Sequence, residues 1–148
     1  MQLTRYTDYS LRVLMYLALR PDHRATIEEI AGAYAISRSH LMKVVHALGR
    51  AGFVETVRGR GGGLRLARPP EEIRLGDVVR HTEERINLVE CFDTRAPRCR
   101  IAPVCGLRDV LEQALAAFFR ELDAHHLGDL VARRRRPLLR ILDAEAPA

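Results

Sequence analysis

Two short helical segments and a glycine-rich hairpin lie within residues 26–67 of this 148-residue chain. A basic surplus is confined to its N-terminal half, and a long apolar helical stripe follows residue 105. Together these predict a mainly α fold with a small β-hairpin wing: a winged helix-turn-helix domain plus a long C-terminal dimerisation helix. The expected division is 1–70 for the winged domain, 71–104 for a connecting helix and a cysteine-bearing loop, and 105–148 for the long helix and tail.

The elements are justified in order. Residues 5–19 carry Tyr6, Tyr9, Val13, Tyr16 and Leu17 at helical spacing, with Thr4 or Thr7 as N-cap and Pro21-Asp22 as the stop. Thr26 and Glu29 form a T-x-x-E capping box that opens a short helix through Ile27, Ile30 and Ala31. Tyr34-Ala35-Ile36 makes a tight connection, and Ser37 caps a longer helix carrying Leu41, Val44, Val45 and Leu48, which ends by Gly49 to Gly52. Phe53, Val54 and Val57 form a short strand, Arg58 to Gly63 a turn in which Gly61, Gly62 and Gly63 take up positive φ, and Leu64 to Ala67 the returning strand. Pro69-Pro70 punctuates the chain, Leu75 to Thr82 reads as a short helix, and Ile86 to Cys91 as extended. Phe92 to Val104, with Pro97 and Pro103, is an irregular loop.

Beyond it Leu107, Val110, Leu111, Ala114, Leu115, Phe118, Phe119 and Leu122 recur on one helical face, and Leu127, Leu130 and Val131 continue after a phase shift at His125-His126. One helix of about 27 residues would run roughly 40 Å, more than a small domain needs to cover itself. Its stripe is therefore expected against a second copy of the chain.

Composition bounds the partners. Hydrophobic residues at 47% and charged residues at 29% are a soluble globular balance, and no stretch approaches the roughly 18 apolar residues of a membrane span. The opening MQLTRYTDYSLRVLMYLAL is interrupted by Asp8 and Arg12 and lacks signal-peptide architecture, which predicts a cytoplasmic protein with reduced thiols. Residues 1–70 hold 11 Lys and Arg against 5 Asp and Glu, whereas residues 71–148 hold 13 against 14. The basic face accordingly belongs to the winged half, where nucleic acid would bind. No phosphate-binding loop, nucleophile–base pair or carboxylate pair supports catalysis, so the chain reads as a non-enzyme; an iron–sulfur carrier or enzyme with an incidental basic face is the rival from another class.

In a helix-turn-helix the N-terminal residues of the second helix face base edges in the major groove. Here these are Arg38, Ser39, His40 and Lys43. Arg38 and Lys43 suit guanine acceptors, while Ser39 and His40 suit phosphates or bases. At the wing, Arg58 and Arg60 supply charge for phosphates or a narrow minor groove, and Gly61 and Gly62 allow close backbone approach. Arg133 to Arg136 reads as a solvated end of the long helix, with a second phosphate contact as the weaker reading.

The three cysteines are Cys91, Cys99 and Cys105, spaced C-x7-C-x5-C. An odd count argues against a closed disulfide framework. Thiolates bind zinc or iron–sulfur clusters, and a pair of them can form a redox disulfide. The C-x2–4-C pair of structural zinc is absent, and the wider gaps suit a loop around a larger inorganic core.

Three stretches carry a specific resemblance: LTRYTDYSLRVLMYLAL, SRSHLMKVVHALGRAGFVETVRGRGGGLRLA, and NLVECFD…CRIAPVCGLRDVLEQALAAFF. The chain resembles the NsrR-type nitric oxide-sensing repressors, members of the winged-helix family that includes the iron–sulfur regulator IscR. IscR-like proteins place a histidine two or three residues after the third cysteine, where this chain has Leu107 and Arg108. The resemblance implies an iron–sulfur cluster held by Cys91, Cys99 and Cys105, of 4Fe–4S type with 2Fe–2S as the alternative. It further implies an oxygen ligand from the partner subunit at Asp8, with His125 and His126 as alternatives. An acid in the first turn of a helix is otherwise ordinary. The first cysteine gap exceeds the family's four or five residues, an insertion within DTRAPR that the loop is expected to absorb.

The function implied is a homodimeric repressor of palindromic double-stranded operators that releases DNA when nitric oxide reaches the cluster, controlling nitric oxide detoxification genes. The alternative is a winged-helix regulator using the same cysteines as a thiol/disulfide switch or for another iron–sulfur signal.

Overall fold

A computed structural model describes residues 2–83, 86–93 and 99–144. The winged domain follows the order read from the sequence: α1 (Arg5–Leu19), α2 (Ile27–Tyr34), α3 (Arg38–Arg50), then β1 (Val54–Val57) paired antiparallel with β2 (Gly63–Leu66). Helix α1 starts where Thr4 accepts a hydrogen bond from the Thr7 N–H, and it buries Val13, Leu14, Tyr16, Leu17 and Leu19 as the central element of the core. The Thr26–Glu29 capping box forms at the start of α2 in both directions. Ala35 takes the left-handed conformation (φ 52°), which ends α2 and turns the chain into α3 within three residues. Leu41, Val44 and Leu48 of α3 pack with Ile30, Phe53 and Leu64 into the same core. Register pairs Val54 with Leu66 and Val57 with Gly63, and a further bridge joins Ala25 to Leu64.

Ser37 occupies the N-cap of α3 but makes no side-chain cap bond; its hydroxyl lies 3.0 Å from Nδ1 of His40 instead. The extended reading of Ile86 to Cys91 holds only in part. Val89 is extended, but Glu90–Phe92 closes into a 3-10 turn through bonds from the Phe92 N–H to the Val89 carbonyl and from the Asp93 N–H to the Glu90 carbonyl. A second such turn spans Ala102–Val104. The expected absorption of the extra loop residues falls on 94–98, outside the described residues.

Helix α4 (Leu75–Thr82) has the predicted limits, but the single long helix does not form. The C-terminal stretch is three helices: α5 (Gly106–Asp123), α6 (Leu127–Ala132) and α7 (Arg135–Asp143). Competition for backbone hydrogen bonds explains the break. The His125 carbonyl accepts from Leu75, the Leu127 N–H donates to Ile73, and the His126 N–H is taken by the Asp129 carboxylate as a cap on α6. Those groups cannot also serve an α-helical ladder. Leu127 and Val131 of α6 are buried in the winged core, and Leu138, Leu139 and Leu142 of α7 pack at its edge. Arg133 to Arg136 therefore spans the α6–α7 junction, with Arg135 opening α7, and does not end a long helix.

Helix α5 differs from every other long helix here, because none of its residues is buried. It is held at its C-terminal end, where Arg80 of α4 grips Asp123 with bonds of 2.7 and 2.6 Å and lies 4.5 Å over the Phe119 ring. Its other end projects Leu107 and Val110, 65% and 60% exposed, beside Val104 at 87%.

A carboxylate ties the end of α4 to the start of α1. Glu83, where the chain leaves α4, accepts from the Thr4 N–H at 2.7 Å, the Thr4 hydroxyl at 3.0 Å and the Thr7 hydroxyl at 2.5 Å. Burial pushes this carboxyl up, but the Thr7 and Thr4 donors outweigh it and hold it below its ordinary value of 4.5. A carboxylate whose folded pKa is depressed contributes stability that is complete above the ordinary value and is lost as pH falls through the folded one. Glu83→Gln is expected to lower Tm by about 3 °C near pH 7, from the loss of roughly 1 kcal/mol, and by progressively less as the pH falls below the ordinary carboxylate range. Thermal melts of both proteins across that range check it; a constant difference would show that the charge plays no part.

Candidate functional site

Two surfaces hold the residues singled out by sequence. The first is the exposed side of α3 with the wing. Arg38, Ser39, His40 and Lys43 are all solvent-exposed, and Met42, 57% exposed, shares their face with His46. Arg38 is ion-paired with Glu28 of α2, so its guanidinium is held at the start of the helix. His40 is fixed between the Ser37 hydroxyl and the ring of Tyr9, whose centroid is 6.3 Å away.

At the wing, Arg58 and Arg60 are exposed on a turn closed by the Gly62 N–H donating to the Gly59 carbonyl at 2.9 Å. The expected glycine conformations need correction. Positive φ falls at Gly59, Gly61 and Gly63 (95°, 77° and 156°), and not at Gly62. Gly62 is required for space: a Cβ there would sit 2.3 Å from the Val57 carbonyl oxygen and 2.8 Å from that of Gly59. Both obstacles are backbone, so neither can step aside. Gly62→Ala is expected to open the wing turn and weaken DNA binding at least tenfold, while the core and the Tm of the domain change little. Gel-shift titrations alongside thermal melts measure the two effects separately.

The second surface is the cysteine segment. Cys91 lies in the 3-10 turn Glu90–Phe92, Cys99 and Cys105 flank the turn Ala102–Val104, and Cys105 is the N-cap residue of α5. All three are free thiols and half-buried. Among the described residues no three His, Cys, Asp or Glu side chains converge on a point that would hold a single metal ion. An iron–sulfur cluster would spread its thiolate ligands over more than one iron, so Cys91, Cys99 and Cys105 would not need to meet at one point to hold it. Three soft, free thiols on one segment match that donor chemistry better than that of a hard cation.

Asp8 stands in the first turn of α1 and is bound within its own protomer by Arg12, with contacts of 2.8 and 3.1 Å. The same guanidinium lies 5.9 Å from the ring centroids of both Tyr9 and Tyr34. Imidazole alternatives are engaged locally: His125 Nε2 is 3.1 Å from Glu121, and His126 belongs to the α6 cap. Arg24, Met42 and Glu83 are not singled out by the sequence, and Tyr9 is read there only as part of the apolar spacing of the first helix. Tyr9 and Met42 could have been found from the helical phase of Asp8 and Lys43. The other two act through contacts 37 and 76 or more residues away, which no local pattern announces.

A helix-turn-helix with an attached hairpin and a basic, exposed second helix defines a winged-helix DNA-binding regulator. Residues 3–133 match the model of the Rrf2 family, described as an iron-dependent transcriptional regulator. The chain belongs to the Rrf2 family of transcriptional regulators, in its NsrR-type branch. It is 56% identical over 132 residues to the HTH-type transcriptional regulator NsrR of Bacillus subtilis, covering 88% of this chain and 90% of that protein. The NsrR of Geobacillus kaustophilus is 53% identical over 135 residues, 90% of this chain and 92% of that one. Among solved structures, CymR, the global cysteine regulator of B. subtilis, superposes with a TM-score of 0.74 at 26% identity, covering 90% of this chain and 98% of that one. IscR of T. potens does so at 0.75 and 21% identity, covering 100% and 94%; this second likeness is one of fold. Among the described residues no helix is long and apolar enough to cross a membrane.

Proposed function

We propose that this chain is a homodimeric, cytoplasmic repressor that grips palindromic operator DNA through α3 and the wing and lets go when nitric oxide reaches an iron–sulfur cluster. Cys91, Cys99 and Cys105 would hold the cluster, of 4Fe–4S type, and Asp8 of the partner subunit would complete it. The observation that carries this reading is three free, half-buried thiols within fifteen residues of chain, the last of them at the N-cap of α5, a helix that buries none of its own residues. When bound there, the cluster supplies iron that reacts with nitric oxide.

The remaining work falls to the chain. Cys105 caps α5, so whatever holds its sulfur also sets how α5 leaves the loop. Asp8 is shared between two claims: its own Arg12 and the partner's thiolate segment. Arg12 pairs with Asp8 while its guanidinium lies near Tyr9 and Tyr34, so drawing Asp8 to the partner would leave Arg12 with the two rings alone. Tyr9 meets His40 of α3, so the choice made at Asp8 lies three side-chain contacts from the DNA-reading surface, through Arg12 and Tyr9. A ligand bond present in only one state is what a two-state device of this kind requires. DNA contacts fall to Arg38, Ser39, His40 and Lys43 in the major groove and to Arg58, Arg60, Gly61 and Gly62 at the wing.

The test is anaerobic purification, a visible spectrum with iron and sulfide content, and a nitric oxide titration followed by operator binding. A brown protein that bleaches as DNA is released supports the reading. A colourless protein that cannot be reconstituted yet binds DNA, and loses it on oxidation, replaces it with a thiol/disulfide switch.

A further inference from the structure

The wing tip carries three positive-φ glycines and closes through the Gly62-to-Gly59 backbone bond, so Arg58 and Arg60 stand on a turn whose glycines give it no side-chain packing of their own. Something outside the hairpin holds it. The α1–α2 turn runs alongside β2: Ala25 and Leu64 exchange both backbone bonds, at 3.1 and 2.7 Å. One residue earlier, the guanidinium of Arg24 donates from Nη1 to the Gly61 carbonyl at 3.2 Å, at the apex of the turn. Gly63 lets these segments approach, since a Cβ there would stand 2.8 Å from the Arg24 carbonyl oxygen and 3.0 Å from that of Ala25.

We infer that Arg24 is a positioning residue for the wing, clamping the Gly61 apex so that Arg60 meets DNA in a fixed place; this rests on the DNA-binding reading of the wing. The hydrogen bond is charge-assisted but exposed, so water competes for it in the free protein and it contributes little to stability there. DNA approaching the wing removes that water. The bond then strengthens and offsets part of the entropy lost in fixing a glycine-rich tip on DNA. Arg24 also adds one cation beside the phosphates, so loss of charge must be separated from loss of the clamp.

Separation is available from a double-mutant cycle. A duplex selected by the wild-type protein from a random library, with the protein purified anaerobically at full length, is titrated with Arg24→Gln, Arg60→Gln and the double variant at several salt concentrations. Each single change is expected to weaken binding about tenfold with Tm unchanged, and Arg60→Gln to cost less than about twofold in the Arg24→Gln background. Arg24→Lys, which keeps the charge on a shorter, unforked group, is expected to retain the salt dependence but not the affinity. Additive losses would make Arg24 an independent phosphate contact, and unchanged affinity would make it a surface residue; either overturns the inference. Failure of the wild type to select any duplex would overturn the DNA-binding reading itself.

Discussion

Cys105→Ser is expected to give a folded protein that neither carries the cluster nor answers nitric oxide. Cys105 is the N-cap residue of α5, a position where serine is among the favoured residues, and it lies outside the hydrophobic core. The winged domain should thus melt within about 2 °C of the wild type. The chemistry is far less forgiving. Changing groups that merely hydrogen-bond to metal ligands costs about 10- to 100-fold in metal affinity, so removing a ligating sulfur is expected to cost at least that. Iron and sulfide content after anaerobic purification, together with the visible spectrum, give the outcome directly. Cys91→Ser and Cys99→Ser are expected to behave alike, since all three thiols are half-buried and unpaired. A Cys105→Ser protein that stays brown and releases DNA with nitric oxide would remove this thiol from the ligand set.

The winged domain was legible in the sequence because each of its signals is local. A T-x-x-E box, an apolar period of 3.6 and a glycine-rich turn are satisfied within a few residues, and α1, α2, α3, α4 and both strands appear where those signals place them. The C-terminal stretch was misread for the opposite reason. The apolar stripe does run through His125-His126, but the backbone there is claimed by Ile73 and Leu75, some fifty residues earlier. Periodicity records which face is apolar and says nothing about such competition, so one helix was expected where three form. The site divides along the same line. Residues that face outward on α3 could be named from helical phase, whereas the Glu28 carboxylate on Arg38, the Arg24 clamp and the Glu83 clasp are tertiary contacts. In the wing the sequence showed that glycines were needed but not which constraint each one meets. Gly59 and Gly61 answer to φ, Gly62 to a carbonyl in its path, and Gly63 to both φ and the neighbouring strand.

Splitting the C-terminal stretch sharpens what α5 is for. Helices α6 and α7 return to the winged domain, α6 burying Leu127 and Val131 in its core and α7 packing at its edge, so both cover the domain they belong to. Helix α5 leaves Leu107 and Val110 in solvent after that core is closed. Val110→Glu therefore removes nothing from the protomer's interior: Tm and helix content are expected to hold. Placed on a face that a second copy would cover, the same carboxylate would be desolvated without a partner, which costs several kcal/mol per buried charge and twice that at an interface where the two-fold axis brings in both copies. The variant is expected to sediment as a monomer at micromolar concentration. Operator binding then loses the advantage of two linked recognition helices, about 100-fold or more in affinity, while the weaker contact with a single half-site persists. Sedimentation velocity and titration against full and half operators read these effects independently. A Val110→Glu protein that remains dimeric would move the interface off this end of α5, and with it the coupling proposed between Cys105 at the helix cap and the spacing of the two α3 helices on DNA.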